Sequence, residues 1–365
     1  MVNTYDKAER IIIWLDCFLG LEYKYKKELI DYIDDVSGIE ELIRLTEKYL
    51  TTVVGDNAFK TLKNSATEQY TDFIISSLEK KGVTPITLLS KDYPESLLNT
   101  EIPPLVLYCK GDISLLNGKT FGIVGSRRSL PLSISIAKTY ASALTKAGYS
   151  LVTGIAEGVD ATVLKTALET NGKPISVIAG GFDNIYPSAN KDLLNKVIEQ
   201  GLAISEYPPE TVPKPYQFPV RNRIIAGLSK GVLIVSGGIK SGTLYTAEYA
   251  EEYGKDLFAV PYSVGIPSGA GCNDLIKRGA KLTDTPQDIL DYYGETPVSE
   301  KVTLSDFEKQ IVNALKDGEM HVEKLCNQLG KRIFEVTSIL SSLEIKGIVV
   351  KSANVYALTR NDLEA

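Results

Sequence analysis

Short stretches rich in glycine and small hydroxyls gather the basic side chains that could act on a ligand. In Gly125-Ser126-Arg127-Arg128-Ser129, glycine allows close backbone approach, and two planar guanidinium groups supply charge and donors. Ser236-Gly237-Gly238-Ile239-Lys240-Ser241-Gly242-Thr243 has a similar makeup with one lysine, ahead of an amphipathic stretch. Free amides and hydroxyls at such a helix start bind phosphate oxygens. Neither stretch is a standard nucleotide fingerprint. The first lacks GxGxxG spacing, and the second lacks the Gly-Lys-Ser/Thr order of a Walker A loop. A surface turn with solvated arginines is the competing reading of the first.

Three further stretches join these. Thr153-Gly154-Ile155-Ala156-Glu157-Gly158-Val159-Asp160 offers Gly154 and Gly158 for close approach, and Asp160 reads first as a helix cap. Lys191, near a helix start, could meet phosphate, and Tyr186 beside it could stack a base or simply pack. From Glu206 onward, Pro208, Pro209, Pro213, Pro215 and Pro219 stiffen the chain. They deliver Arg221-Asn222-Arg223 to the start of an apolar helix marked by Ile224, Ile225 and Leu228. Cations there oppose the helix dipole unless an anion lies near, so a phosphate site is expected. A buried pair with Glu206 or Asp160 is the alternative.

The net charge of −6 argues against a nucleic-acid partner until it is divided along the chain. Residues 119–230 hold 13 Lys+Arg and 8 Asp+Glu, a net +5. Residues 1–118 carry −6, residues 231–300 carry −5, and residues 301–365 balance at 9 and 9. Phosphate responds to that local field, not to the total. A single histidine, His321, excludes Ser-His-Asp chemistry in the main body and multi-His metal sites. Cys17, Cys109, Cys272 and Cys326 are too scattered for a disulfide framework or a zinc ribbon. No apolar run reaches the roughly 18–20 residues of a membrane span, and no signal-peptide pattern opens the chain. The expectation is a cytoplasmic protein with no membrane association, no metal and no cofactor.

The elements that would hold these loops follow from periodicity. Residues 1–80 read as helical, with Ile11, Leu15 and Leu19 at i, i+4 and i+8. Residues 81–117 form a proline-bearing connector whose run Leu105–Tyr108 could be an edge strand. Residues 118–293 alternate short apolar runs with amphipathic stretches. The runs are Phe121–Val124, Ser150–Val152, Ile175–Ile178, Leu202–Ile204, Val232–Val235 and Leu257–Val260. That alternation is the mark of an α/β fold, a parallel sheet with helices on both faces, and ligands then bind beyond the carboxyl ends of its strands. After a linker over 294–302, residues 303–365 read as three helices and a hairpin, the order of a winged helix. Ser305 and Glu308 fit a capping box, Gly347 ends the third helix, and Ile348–Lys351 pairs with Val355–Leu358 around Ser352-Ala353-Asn354.

At the loops, the chain resembles the DprA (Smf) DNA-processing family. The resemblance runs through Gly122-Ile123-Val124-Gly125-Ser126-Arg127, Thr153-Gly154-Ile155-Ala156, Tyr186-Pro187 and Ser205-Glu206-Tyr207-Pro208-Pro209. It is most specific over Phe218-Pro219-Val220-Arg221-Asn222-Arg223-Ile224-Ile225-Ala226-Gly227, and it continues through Ser241-Gly242-Thr243 and Gly271-Cys272-Asn273. Departures are Leu164 where histidine is usual, Ser236-Gly237 where Glu-Ala is usual, and Tyr262 after Val-Pro.

The resemblance implies an extended Rossmann-like domain flanked by a helical domain of SAM or helix-hairpin-helix type and a winged helix. It further implies sequence-independent binding of single-stranded DNA, loading of a RecA-type recombinase in DNA processing and natural transformation, and homodimerisation. The family's phosphate-contacting residues fall on Ser126, Arg127, Gly154, Lys191, Arg221, Arg223, Ser241 and Gly242. An enzyme is not expected. The alternative, a nucleotide hydrolase of the Rossmann-like phosphoribohydrolase type, needs a Gly-Gly-x-Gly-Thr-x-x-Glu motif. Gly237-Gly238, Gly242-Thr243 and Glu248 do not have its spacing. A third reading, duplex DNA on the winged helix, is weakened by the balanced charge of that segment.

Overall fold

The computed structural model describes residues 5–18, 20–295, 304–345, 348–352 and 354–358. Leu19, the expected linker beyond Glu295, Gly347 and Ala353 lie outside the described residues. The chain divides into two compact units, Met1–Glu295 and Thr296–Ala365.

The first unit opens with five helices: α1 (Lys7–Cys17), α2 (Tyr23–Ile30), α3 (Ile39–Val54), α4 (Asp56–Ser65) and α5 (Glu68–Lys80). A capping box starts α1, with the Asp6 side chain accepting from the Glu9 amide at 2.9 Å and Glu9 accepting in return from the Asp6 amide. Ile11, Ile12, Ile13, Trp14 and Leu15 are all buried, so α1 is enclosed on every side. It sits between α5 and the first two strands, β1 (Thr84–Thr87) and β2 (Val106–Gly111), with the short α6 (Glu95–Leu98) between them in sequence. The helices and the sheet therefore share one apolar cluster that joins Ile11 and Trp14 to Val106, Tyr108 and Ala203. Tyr108 Oη donates to the buried Asp16 carboxylate at 3.0 Å, tying α1 to β2.

Strands and helices then alternate: β3 (Thr120–Val124), α7 (Pro131–Lys146), β4 (Ser150–Thr153), α8 (Val159–Glu169), β5 (Ile175–Ile178), α9 (Lys191–Gln200) and β6 (Leu202–Ser205). They continue through α10 (Gln217–Leu228), β7 (Gly231–Ile234), α11 (Leu244–Glu252), β8 (Asp256–Ala259), α12 (Ala270–Lys277), β9 (Lys281–Leu282) and α13 (Pro286–Tyr292). The nine strands form one sheet in the order β1-β2-β6-β5-β4-β3-β7-β8-β9. From β6 to β9 the pairings are parallel. Strands β3, β5, β6 and β7 are buried at every position, as a parallel sheet covered on both faces requires.

Strand β2 corrects the expectation of an edge. It lies between β1 and β6, antiparallel to both, and β1 is the edge. The reason is visible in Pro85, which has no amide for a ladder and belongs in an outer strand. The strand order reverses at β3, which pairs with β4 on one side and β7 on the other. That switch point opens a crevice beyond the strand ends.

In the second unit, α14 (Asp306–Leu315), α15 (Val322–Leu329) and α16 (Ile333–Ile345) pack on a three-stranded antiparallel sheet. Its strands are β10 (Met320–His321), β11 (Val349–Ser352) and β12 (Val355–Leu358). Ser305 and Glu308 form the capping box of α14, and Ile311, Leu325, Val336 and Leu340 lie in the core.

Candidate nucleic-acid interface

The β3 and β7 ends define a groove of about 780 Å³ at the switch point. Gly125, Ser126, Arg127 and Arg128 form one bank as they leave β3, and Ser241, Gly242 and Thr243 form the other ahead of α11. The positive end of α11 thus opens onto the groove. The loop after β3 is held from beneath. Ser126 donates its amide to Ser236 Oγ at 3.2 Å and accepts from the Ser129 hydroxyl at 2.6 Å. Gly158, at φ +79°, lies so close to the Ser126 and Arg127 carbonyls that a Cβ would collide with both.

Arg221 forms the floor. It is buried, donates through Nη1 to the Val177 carbonyl and through Nε to Asn222 Oδ1, and faces the Asp160 carboxylate. Burial pushes its guanidinium down to about 10, Asp160 opposes that, and Arg127 adds to it. Burial pushes the Asp160 carboxyl up, while Arg221 draws it back. Gly154 makes this pair possible, because a Cβ there would fall on the Arg221 guanidinium and the Asp160 carboxylate. Three arginines, 127, 128 and 221, therefore face the groove against one carboxylate, Asp160.

Aromatic rings continue the basic bank. The exposed Arg127 guanidinium lies 5.0 Å from the centre of the Phe218 ring. Phe218 meets Tyr186 edge-to-face with centres 5.6 Å apart, and Tyr186 is 56% exposed. Phe218 reaches this place because the proline-rich segment folds over the strand ends, with Pro213, Pro215 and Pro219 lining the groove.

Of the eight expected contact residues, Ser126, Arg127, Arg221, Ser241 and Gly242 line the groove, and Gly154 lies directly beneath Arg221. Lys191 is exposed at the first position of α9 but does not line it. Arg223 is a correction. It turns away from the groove and ion-pairs with Glu206 at a second cavity, its side chain only 6% exposed. Phe218, Pro213 and Asn222 were missed as site residues; the density of prolines was the available signal.

A profile of the family described as DNA recombination-mediator protein A matches residues 84–294. The DNA processing protein DprA of Bacillus subtilis (strain 168) is 38% identical over 258 residues, covering 70% of this chain and 87% of that protein. Protein Smf of Escherichia coli (strain K12) is 33% identical over 288 residues, covering 74% of this chain and 76% of that protein. The structure of DNA processing protein A from Streptococcus pneumoniae is similar at a TM-score of 0.67 and 30% identity, covering 78% of this chain and 97% of that one. DNA processing protein A from Helicobacter pylori, described for its single-stranded DNA binding mode, is similar at a TM-score of 0.53 and 32% identity, covering 57% of this chain and 95% of that one. On this match to sequence and fold, the chain belongs to the DNA recombination-mediator protein A family.

Proposed function

We propose that the chain binds single-stranded DNA without sequence preference in the switch-point groove and loads a RecA-type recombinase onto it during DNA processing and natural transformation. The observation that carries this reading is the groove itself, where three arginines face one carboxylate beside an exposed aromatic ring. Phosphates meet Ser126, Arg127, Arg221, Ser241 and Gly242, with Lys191 outside the groove extending the path. Gly154 acts by leaving room for Arg221 and Asp160. Bases stack on Tyr186, and stacking tolerates any base because each has a π face. The related protein from Helicobacter pylori, described for single-stranded DNA binding, supports the same reading.

The role is binding, not turnover. The sole histidine, His321, lies in the other unit, and Glu248 is exposed on α11 and does not line the groove. The protein acts as a homodimer. The experiment compares a labelled oligothymidine with a duplex of equal length by fluorescence anisotropy, then follows recombinase filament growth on strands coated with single-strand-binding protein. Preferred single-strand binding and faster filament growth are expected. Equal affinity for duplex, or release of free base from nucleoside monophosphates, would contradict the reading.

A further inference from the structure

The bank ahead of α11 depends on one side chain for its tie to the groove floor. Gly242 has no side chain to anchor it, and a Cβ placed there would meet nothing within 4 Å. Among the described residues, the hydrogen bonds of Ser241, Gly242 and Thr243 otherwise stay local. The Ser241 amide donates to the Gly238 carbonyl at 2.9 Å, the Thr243 amide to Ser241 Oγ at 3.3 Å, and the Ser241 hydroxyl to Thr243 Oγ1 at 3.1 Å. The exception is Asn222 on α10, whose Nδ2 donates to the Gly242 carbonyl at 3.2 Å. The same side chain reaches the floor, since its Oδ1 accepts from Arg221 Nε at 3.1 Å.

Both bonds run one way only. A guanidinium donates and a peptide carbonyl accepts, so a single orientation of the Asn222 amide serves both. Nε held by Asn222 and Nη1 held by the Val177 carbonyl fix the plane of the Arg221 guanidinium, and Nη2 has no hydrogen-bond partner among the described residues. The oxygens of Asn222 and Gly242, two groove-lining residues, are each met by a donor, which offsets their negative ends where a phosphate approaches. The Gly242 amide has no protein partner among the described residues. Floor and bank are thus held in register before a ligand arrives, which spares the cost of ordering them on binding. We propose that Asn222 is the positioning residue of the groove, setting the Arg221 guanidinium and the Gly242 amide so that both are presented together to the sugar-phosphate chain. The inference rests on the reading of the groove as a DNA site.

The test is fluorescence anisotropy of a labelled oligothymidine with the full chain across a salt series, for the parent, Asn222→Ala, Arg221→Lys and the double variant, with thermal melting of each. Alanine is a good helix former at this half-buried position, so the melting midpoint of Asn222→Ala should stay close to that of the parent. Loss of a hydrogen bond to a charged group should weaken oligothymidine about tenfold. The magnitude of the salt slope should fall by about 0.7 as the Arg221 contact is lost. Lysine at position 221 keeps the cation but has no Nε for Asn222, so adding Asn222→Ala to Arg221→Lys should weaken binding by less than about twofold. A spectrum of the arginine Nε–H groups needs neither DNA nor the lysine variant. One signal protected from solvent exchange in the parent should be lost in Asn222→Ala while the others stay in place. Unchanged affinity and slope in Asn222→Ala would overturn the proposal, as would a loss of binding that tracks unfolding or an Nε–H pattern identical to that of the parent. An equal loss in both backgrounds would also overturn it, by making Asn222 a direct contact. A parent protein that does not bind oligothymidine would overturn the DNA reading and this inference with it, whereas a binding parent indifferent to Asn222→Ala overturns this inference alone.

Discussion

Arg221 and Arg223 stand two residues apart on α10 and face two different cavities, Arg221 the switch-point groove and Arg223 the cavity lined by tyrosines. Two residues turn a helix by about 200°, so neighbouring arginines are sent to opposite sides. Arg223 is held by Glu206, both largely buried, and does not line the groove. Arg223→Met strands a buried carboxylate and should cost about 3–5 kcal/mol in urea unfolding. Adding Glu206→Leu should restore most of that loss, and the salt dependence of DNA binding should stay unchanged in the double variant.

Tyr186 presents its ring to solvent and touches Phe218, which in turn lies against Arg127. Tyr186→Ala should lower affinity for oligothymidine by about 1–3 kcal/mol, the range of a base-aromatic stack. Its thermal midpoint should move little, since more than half of the residue is exposed. Anisotropy and thermal melting on the same preparation check both statements.

Three thiols should be silent in the folded protein. Burial, with a smaller push from Asp16, raises Cys17 to about 12; burial alone raises Cys109; and burial raises Cys272 to about 12. The thiolate is the reactive form, so alkylation at neutral pH should leave these three unmodified. Unfolding in urea should expose all of them. Peptide mass mapping before and after unfolding reads the difference.

Burial pushes the Asp256 carboxyl up, but hydrogen bonds from Lys281, Tyr292 and Tyr293 outweigh it and hold the group below the usual carboxylate range. A lowered folded value stabilises the protein above the unfolded value, about pH 4, and the contribution is lost as pH falls through the folded value. Asp256→Asn should therefore lower the melting temperature at pH 7. The gap to the parent protein should narrow as pH falls below about 4.

Much of this architecture is legible in the residues. Six apolar runs of the alternating region fall within one residue of strands β3 to β8, because parallel strands buried on both faces leave an unbroken apolar signature. Strand β9 is two residues long and opens with Lys281, too short and polar to be read. The edge position of β1 was legible in Pro85, whereas the pairing of β2 with β6 joins residues about 95 apart in sequence, such as Tyr108 and Ser205, and no local signal carries it. The opposed facings of Arg221 and Arg223 were legible in principle from helical period alone. Contact between Arg127 and Phe218 was not, since only the folding of the proline-rich segment over the strand ends brings those distant residues together.

The central claim, that arginines at the strand ends hold sugar-phosphate chain, is tested most directly by the salt dependence of oligothymidine binding. Each phosphate contact on a single strand contributes a slope of about −0.7 in log K against log salt. Arg127→Ala should weaken binding and reduce the magnitude of the slope by about 0.7 with no loss of stability, and Lys191→Ala should do so less strongly. Affinity and slope indistinguishable from the parent protein in Arg127→Ala would contradict the claim.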